Sequence, residues 1–366
     1  MTHSECRTAT PGHQRDQLMV TGGVDTHKDA HTAAVLDQTG RLLGHNQFPA
    51  TQKGYAALLA WLRGHGSLVR VGVEGTGVYG AGLAAFFQQA GVELVEVDRP
   101  DRKTRRWQGK SDPVDAEAAA RAAQAGRATG TPKTRGGRVD ALRALRVARR
   151  SAVAARADAQ RQIRALVVTA PSPLRTRLQS LPITALIAYC HTRRPDPTQT
   201  HDPAVATLLA LRVLARRHQQ LSTEIDELDA LLEPLVARIN PALLTLNGVA
   251  TDVAGQLLVT AGDNPQRLSS EAAFAMLCGA APLPASSGRT QRHRLNRGGD
   301  RQANAALYRI VCCRLRWDPR TRAYAQRRTT EGMSKKEIIR CLKRYIAREV
   351  YIALLNPDPA PLPATT

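Results

Sequence analysis

Apolar and polar positions divide the first third of the chain into short strands and amphipathic helices. Short apolar runs bounded by turn residues predict strands, whereas apolar residues three or four positions apart predict helices. The strand segments are 18–25, 31–37, 41–48, 68–74 and 92–97. The helical segments are 53–63, with Tyr55, Leu58, Leu59 and Leu62 on one face, and 79–90. Three strands in hairpin order, followed by alternating helices and strands, predict an α/β domain with a mixed sheet in the ribonuclease-H-like order.

The middle of the chain is patterned as two long helices. Apolar residues recur three or four positions apart from Leu142 to Leu166, and again from Leu208 to Ile239. A spacing of about 3.5 residues per turn predicts a coiled-coil hairpin, which we expect to mediate self-association. The proline-rich stretch 169–203 is expected to join the two helices through short helices at 173–191.

Two residues stand out in the second of these helices. His218 is a polar residue in the apolar seam, and we interpret it as a register or packing feature rather than a ligand. Pro234 should kink or end the helix, because proline removes a backbone donor and clashes with the preceding turn.

The C-terminal third is predicted to be mainly helical. Residues 246–263 fit either half of a helix-hairpin-helix or a plain αα-hairpin, because the turn carries only one glycine. Helices are predicted at 301–316 and 334–354, and Ser334 with Glu337 forms a capping box at the start of the second. Glycine and proline between these elements predict a loop.

Charge indicates the kind of partner. The formal net charge is +21 and the isoelectric point is about 10.6. Residues 280–350 contain 18 Lys and Arg against 5 Asp and Glu, so this part should bind backbone phosphates. Arginine dominates with 44 of the 52 basic residues, which suits bidentate phosphate binding, although a GC-rich genome gives the same bias. Aromatic residues are only 4%, which argues against a stacking platform for single-stranded bases.

The sequence also indicates the cellular compartment in which the protein is expected. The N-terminus has no apolar core of a signal peptide, and no window is long enough for a membrane span, so we expect a soluble cytoplasmic protein. The six cysteines show neither a CxxC pair nor metal-ligand spacing, and we expect reduced thiols.

Four acidic residues are candidate metal ligands. Asp25 ends the first strand, Glu74 ends the fourth, and Asp112 and Asp115 lie on one face of a later helix. Taken singly, each has a simpler explanation: Asp112 before Pro113 is a good N-cap, with Asp115 in the first turn. Taken together, they can supply the converging carboxylates that a two-metal site needs.

A different chemistry is open at the turn that follows Glu74. Gly75, Thr76 and Gly77 allow close backbone approach, as in the phosphate cradle of sugar-kinase and actin-like relatives of the fold. A lone GxG is a weak signal, so the sheet alone does not choose between a metal ligand and a phosphate cradle.

Two serines in the C-terminal loop are candidate nucleophiles. Ser286 and Ser287 precede a run of arginines that could bind phosphates and stabilise developing charge. From the residues alone, an ordinary loop on a DNA-binding face is the simpler interpretation. The candidate nucleic-acid contacts are Arg289, Arg292, Arg294, Arg297, Arg301, Lys335, Lys336, Lys343 and Arg344.

These motifs resemble a known family. GVDTHKDAH, VEGTGVYG and GKSDPVDAEAAARAA, which contain the four acids, resemble the DEDD tetrad of insertion-sequence transposases of the IS110 type. PASSG, followed by a basic stretch and RGGDRQAN, resembles the C-terminal catalytic-serine motif of that family. The resemblance covers nearly the whole chain, and all four tetrad positions are filled.

The resemblance implies a fold, a chemistry and partners. A RuvC-like domain would hold Mg²⁺ through the four acids, and Ser287, or failing that Ser286, would form a transient covalent link to DNA. Because the serine lies about 170 residues beyond Asp115, a composite active site is implied. The implied partners are double-stranded donor and target DNA, a structured guide RNA, and further copies of the chain in a dimer or tetramer.

The expected organisation has five parts. They are a disordered start at 1–17, a RuvC-like catalytic domain at 18–135, a helical linker and oligomerisation region at 136–240, a C-terminal transposase domain with the catalytic serine at 241–355, and a disordered tail at 356–366. Three other functions stay open: a RuvC-type structure-specific nuclease that does not need the serine, an actin-like ATP phosphotransferase, and a non-catalytic DNA-binding protein.

Overall fold

The chain divides into two compact units, Met1–Arg135 and Gly136–Thr366. The computed structural model describes residues 18–97, 111–128, 130–290 and 293–358 of them. The expected disorder at 1–17 lies outside the described residues, as does most of the expected tail.

The first unit is built on a five-stranded mixed sheet. Its order is β3-β2-β1-β4-β5, with antiparallel pairing from β1 to β2 to β3 and parallel pairing from β1 to β4 to β5. The bounds are β1 Met19–Thr26, β2 Ala30–Asp37, β3 Leu42–Pro49, β4 Ser67–Glu74 and β5 Leu94–Val97. The predicted mixed α/β sheet is confirmed, because the strands follow the order that the apolar runs indicate. A closer relation to RuvC stays a prediction.

Helices cover both faces of this sheet. Helix α1, Gln52–Gly64, and helix α2, Ala81–Gln89, close one face over a core of branched residues. The predicted apolar stripe of α1 is confirmed, since all four of its members are buried. Helix α3, Asp112–Gln124, packs on the other face against β1, β2 and β4.

Glycine and alanine let α3 lie very close to the strands. A Cβ added at Gly23 would lie 2.2 Å from the carbonyl oxygen of Ala116 and 2.2 Å from the amide nitrogen of Ala120. A Cβ at Gly72 would lie 2.4 Å from the carbonyl oxygen of Ala119. Any larger residue at these strand positions would push the helix away, so the sequence itself fixes how near α3 comes to the sheet.

The second unit begins with a long helical hairpin. Helix α4, Arg138–Thr169, packs antiparallel to helix α7, Pro203–Ile239, and short helices α5, Ser172–Leu178, and α6, Ile183–Thr192, lie at the far end. The predicted helices are confirmed. A coiled-coil geometry and a role in self-association stay predictions.

Polar contacts connect α4 and α7 at regular intervals. Arg149 binds Asp229, and Arg156 donates a hydrogen bond to Ser222. The side chain of Gln160 bonds the ring of His218, 2.9 Å away, in agreement with a packing role for this histidine. Pro234 does not end α7, which continues to Ile239, because the apolar face of the helix stays packed against the core beyond it.

A second helical core follows the hairpin. Its elements are α8 Pro241–Thr245, α9 Thr251–Ala261, α10 Glu271–Leu277, β6 Leu283–Pro284, β7 His293–Arg294, α11 Arg301–Trp317, α12 Pro319–Thr330 and α13 Lys335–Leu355. The predicted capping box of α13 is present, with Ser334 and Glu337 bonding each other's backbone. The patterns predicted neither α12 nor the short β6–β7 hairpin inside the expected loop.

The turn before α9 favours the plain αα-hairpin. Gly248 has a φ of +78°, and a Cβ there would contact Cys313 and Ile310 of α11. The turn therefore packs onto a neighbouring helix of its own unit. A helix-hairpin-helix phosphate site finds no support in this packing.

A network of charges links three helices of this unit. Asp252 at the start of α9 accepts hydrogen bonds from Arg146 and Arg149 of α4 and from Arg309 of α11. Burial acts to raise the pKa of Asp252, but the charge of Arg146 and the bonds from Arg309 outweigh it and hold the pKa below its usual value. The carboxylate therefore stays charged and fastens the hairpin to the core.

The described residues contain no helix that is long and apolar enough to cross a membrane. The five cysteines among them carry free thiols, as predicted, and Cys6 lies outside the described part.

Candidate functional site

Asp25 and Glu74 lie next to each other at one edge of the sheet. Val24 pairs with Val73 across the parallel β1–β4 ladder, and the two acids follow these valines directly. Val24 and Val73 face the core beneath α1 and α2, so the alternation of strand side chains directs both acids to the α3 face. Neighbouring strands are about 4.8 Å apart, which brings the two carboxylates close together.

Helix α3 brings the other two acids to the same face. Ala116 and Ala120, in its second and third turns, pack against β1 at Gly23, two residues before Asp25. Asp115 is almost completely buried there, and Asp112 is partly exposed one turn earlier. The arrangement predicted from sequence, with two acids on strands and two on one helical turn, is present in the fold.

The N-cap explanation of Asp112 is wrong. Ser111 is the N-cap of α3, and Asp112 occupies the first helical position, with Pro113 after it. The backbone amide of Asp115 bonds the carbonyl of Ser111, as a residue of the helix proper does. Since neither acid is the cap, capping does not explain why both are acidic.

His27 joins the acids in a group that the sequence patterns did not single out. Its Nδ1 lies 3.7 Å from Asp25 Oδ2, and its Nε2 lies 3.9 Å from Asp112 Oδ1. One candidate ligand atom from each of the three residues lies within 4.8 Å of the others. The sequence feature that could have identified His27 is its position two residues after Asp25. This position puts it beyond the end of the strand, where the chain turns.

The donor set fits a divalent cation. Oε2 of Glu74 and Oδ1 of Asp115 are shielded from solvent, and the side chain of Asp25 is only 12% exposed. Several carboxylates gathered on one shielded surface repel one another, and a cation bound between them removes that cost. Hard oxygen ligands favour Mg²⁺ or Mn²⁺, whereas an imidazole nitrogen favours Mn²⁺ or Zn²⁺.

The glycine turn after β4 supports this edge by local contacts. Gly75 has a φ of +77°, which glycine adopts without strain, and the hydroxyl of Thr26 donates to the carbonyl of Glu74 at 2.8 Å. Thr76 is buried and its hydroxyl donates to Glu96. The Thr76 side chain is thus bound within the fold, and α2 begins only at Ala81.

The serine loop is the tip of the β6–β7 hairpin. The backbones of Ser287 and Thr290 bond each other in both directions, at 3.1 and 3.0 Å, which closes a tight turn. Gly288 lies inside it with a φ of +53°. Both Ser286 and Ser287 are exposed, so either hydroxyl is open to a large substrate.

The predicted basic contacts fall into two groups. Most lie exposed on the surface: Arg289, Arg294, Arg297, Arg301, Lys335 and Lys336. Two are engaged within the fold, since Lys343 donates to Asn304 at 2.9 Å and Arg344 pairs with Glu271 at 3.0 Å. Arg292 lies outside the described residues.

Comparison with known families decides the identity of the chain. A family model described as a transposase of the DEDD IS110 type matches residues 22–170, which contain all four acids. A second, described as the transposase IS116/IS110/IS902 family, matches residues 240–326, which contain the serine loop. Together they cover more than half of the chain. The protein belongs to the IS110-type transposase family.

Individual relatives agree with the IS110-type assignment. The insertion element IS900 uncharacterized 42 kDa protein of Mycobacterium paratuberculosis is 30% identical over 156 residues, which are 42% of this chain and 39% of the relative. The insertion element IS110 uncharacterized 43.6 kDa protein of Streptomyces coelicolor is 32% identical over 149 residues, 40% of this chain and 35% of the relative. The matched stretches thus span less than two fifths of either relative.

Proposed function

We propose that this IS110-type chain is a DNA transposase that cleaves and rejoins DNA strands as a site-specific recombinase. The observation that carries the proposal is the convergence of Asp25 and Glu74, from adjacent parallel strands, with the acidic first turn of α3. Such a set at the carboxyl edge of a sheet suits metal-assisted chemistry on phosphodiesters.

The four acids would hold Mg²⁺. Asp25, Glu74 and Asp115 present shielded carboxylate oxygens, and Asp112 adds a more exposed one at the entrance. A bound divalent cation would polarise the scissile phosphate and stabilise the charge that develops on it. The contribution of the chain is to fix these oxygens on strands and on a closely packed helix, so that they need no rearrangement.

Ser287 would be the nucleophile. Its oxygen would form a bond to phosphorus while a phosphodiester P–O bond breaks, which leaves the protein joined to one end and a hydroxyl on the other. The exposed hairpin tip gives the hydroxyl access to duplex DNA, and Arg289, Arg294 and Arg297 would bind the flanking phosphates. Ser286 is the alternative.

Basic surface and helices suggest the partners. The net charge of +21 fits phosphate binding to donor and target DNA and to a structured guide RNA. The α4–α7 hairpin is the element that we assign to assembly of a homo-oligomer, a dimer or a tetramer.

Trapping of a covalent protein–DNA adduct tests the proposal. We expect an adduct with the wild type, Mg²⁺, element-end DNA and the flanking transcript, which disappears with Ser287→Ala and with Asp112→Ala but persists with Ser286→Ala. Loss with Ser286→Ala alone would move the nucleophile by one residue. Absence of any adduct or strand joining under these conditions would overturn the proposal.

A RuvC-type metal-dependent nuclease is the second candidate. It is favoured by the fact that all four acids belong to one compact unit with its own core. Magnesium-dependent cutting that leaves no adduct and survives Ser287→Ala would support this candidate and contradict the serine assignment.

A further inference from the structure

A cavity of about 660 Å³ lies in the second unit, and its lining does not include the serine loop. Its walls come from the end of α11, from α12, from the outer face of α13 and from residues 245–247. Pockets that hold small organic molecules have volumes of about 300–1,000 Å³, so this one is large enough for a nucleotide.

Two tyrosines form the aromatic wall. Tyr324 of α12 and Tyr345 of α13 meet edge to face, with ring centroids 5.8 Å apart and an angle of 83°. An edge-to-face pair leaves ring faces available for a third planar group. Tyr345 is the accessible partner, since 55% of it is exposed. An exposed tyrosine face in a pocket is a typical surface for stacking a nucleobase.

Arginines make the rest of the wall positive. Arg320 and Arg327 are exposed at the start and end of α12, and the guanidinium of Arg327 lies 5.5 Å from the ring centroid of Tyr324. Asp318 is the N-cap of α12, where it accepts hydrogen bonds from Thr321, and its charge also acts on Arg320. Four arginines against two acids line the cavity, so positive charge remains for an incoming anion.

Other charged groups of the lining are paired within the fold. Arg314 donates to the carbonyl of Asn247 at 2.7 Å and pairs with Glu349 at 2.7 Å. Arg348 pairs with Glu271 at 2.8 Å. These bonds hold the walls in place. Of the outer arginines, Arg327 also pairs with Glu331, at 3.7 Å, so Arg320 and Tyr345 are the groups left for a ligand.

We propose that this cavity binds an unpaired nucleotide of a nucleic acid, with its base stacked on Tyr345 and its phosphate at Arg320. A base within a duplex is covered on both faces by its neighbours, so only a nucleotide that has left the stack can use this wall. The inference rests on the proposed function, which supplies the nucleic acid, and it adds the structural class of ligand that the helical domain recognises. The low total of aromatic residues gave no sign of this site, which depends on one pair of tyrosines.

Binding by the full-length protein tests the inference. The probes are a DNA duplex, the same duplex with one unpaired 2-aminopurine, and single-stranded DNA and RNA. We expect the bulged and single-stranded probes to bind more tightly than the duplex, with quenching of 2-aminopurine fluorescence. Tyr345→Ala should weaken the binding of these probes by about 10- to 100-fold, restore the 2-aminopurine fluorescence and leave duplex binding unchanged.

Matched variants separate stacking from other effects. Tyr345→Phe keeps the ring and should bind as the wild type does. Tyr308→Ala removes another exposed tyrosine of the same unit, on α11 and outside the cavity, and should have no effect. Arg320→Gln should reduce the salt dependence of single-strand binding by about one charge, because one phosphate contact is lost.

The outcomes distinguish this inference from the proposed function. The inference alone would be overturned if the protein bound duplex DNA without preference for the unpaired nucleotide. It would also be overturned if Tyr308→Ala reduced the affinity for the unpaired probes as much as Tyr345→Ala does. A wild-type protein that binds none of the probes would overturn the proposed function itself. Tighter binding of the RNA strand would identify an RNA loop as the ligand, and tighter binding of the DNA strand would identify a displaced DNA strand.

Discussion

Asp25 and Glu74 occupy neighbouring positions at the carboxyl ends of two parallel strands, one step beyond the Val24–Val73 pair. The hydrogen-bonded β1–β4 ladder brings them together, although they lie 49 positions apart in the sequence. Two like charges held this close weaken the fold unless a cation lies between them, and a bound cation should strengthen it.

The first prediction concerns stabilisation by metal. Mg²⁺ at 100 times its dissociation constant should stabilise the wild type by about 2.7 kcal/mol, and Asp25→Asn or Glu74→Gln should abolish this gain. Without metal, the same variants should be at least as stable as the wild type, since a repulsion is removed. Thermal unfolding with and without Mg²⁺ measures both.

Asp29→Asn is the matched control for that experiment. Asp29 lies in the exposed turn after β1 and outside the acidic group, so its variant should keep the full metal response. Equal stabilisation of all the variants would contradict the metal site.

The second prediction concerns the choice of metal by His27. Its imidazole lies between Asp25 and Asp112, and nitrogen ligands favour Mn²⁺ and Zn²⁺ over Mg²⁺. His27→Ala should therefore weaken the binding of Mn²⁺ and Zn²⁺ by about 10-fold or more and change Mg²⁺ binding little. Calorimetric titration with each ion measures this, and an equal loss for all three ions would mean that His27 orients the acids without contacting the metal.

The third prediction concerns the contact between α3 and the sheet. Gly23→Ala would place a methyl group 2.2 Å from the backbone of α3, so the helix must move and carry Asp112 and Asp115 with it. We expect a loss of about 3 kcal/mol in the free energy of unfolding, at the upper end for overpacking because the obstacle is backbone. Metal binding should weaken as well.

Gly64→Ala is the control for this contact. Gly64 lies in the last turn of α1 with open space where a Cβ would stand, and the change should stabilise the protein by up to about 1 kcal/mol. Chemical denaturation of both variants gives the comparison, and a Gly23→Ala protein as stable as the wild type would show that α3 is free to shift.

The fourth prediction concerns the charge network around Asp252. Asp252→Asn should destabilise the second unit by about 2 kcal/mol, less than the roughly 3–5 kcal/mol of a fully buried pair, because 26% of the side chain is exposed. The loss comes from the arginines of α4, which keep their charge after the change. Burial, together with the charges of Arg149 and Arg309, lowers the pKa of Arg146 despite the bond to Asp252, yet a guanidinium remains charged at any ordinary pH.

The pH dependence of this effect has a definite sign. The pKa of Asp252 is lower in the folded protein than in the unfolded chain, so its stabilisation is complete above the ordinary value of about 3.9 and is lost as the pH falls through the lower folded value. The difference between wild type and Asp252→Asn should therefore shrink below about pH 4 and stay constant above about pH 5. Unfolding curves at several pH values measure it, and a difference that grows toward low pH would contradict the assignment.

The sheet was predictable because its signals are local. Strand runs such as 68–74 are short, apolar and bounded by turn residues, and the helix with Leu58 and Leu62 has a clear apolar stripe. The strand positions of Asp25 and Glu74 follow from the same runs. Their side-by-side register follows only from the pairing of β1 with β4, which no local pattern contains.

Other features depend on contacts that lie far apart in sequence. The patterns missed α12 because it is polar on most sides and buries only Thr321 completely, so it has no apolar stripe. They missed His27 because its role depends on Asp112, 85 residues later, and they misassigned the cap of α3 because Ser111 and Asp112 are both good caps. They predicted that Pro234 kinks or ends α7, whereas the helix continues to Ile239 and Val236 beyond the proline is packed in the core.

The number of residues in α4 and α7 sets the length of the hairpin that they form. At about 1.5 Å per residue, the 32 residues of α4 span about 48 Å. The polar contacts from Arg149–Asp229 to Gln160–His218 fix the register of the two helices. Removal of seven residues from each helix at matching points would shorten the hairpin by about 10 Å and keep the same faces in contact. During evolution, the distance of α5 and α6 from the helical core can therefore change with the length of these two helices, while the contacts at both ends of the hairpin are kept.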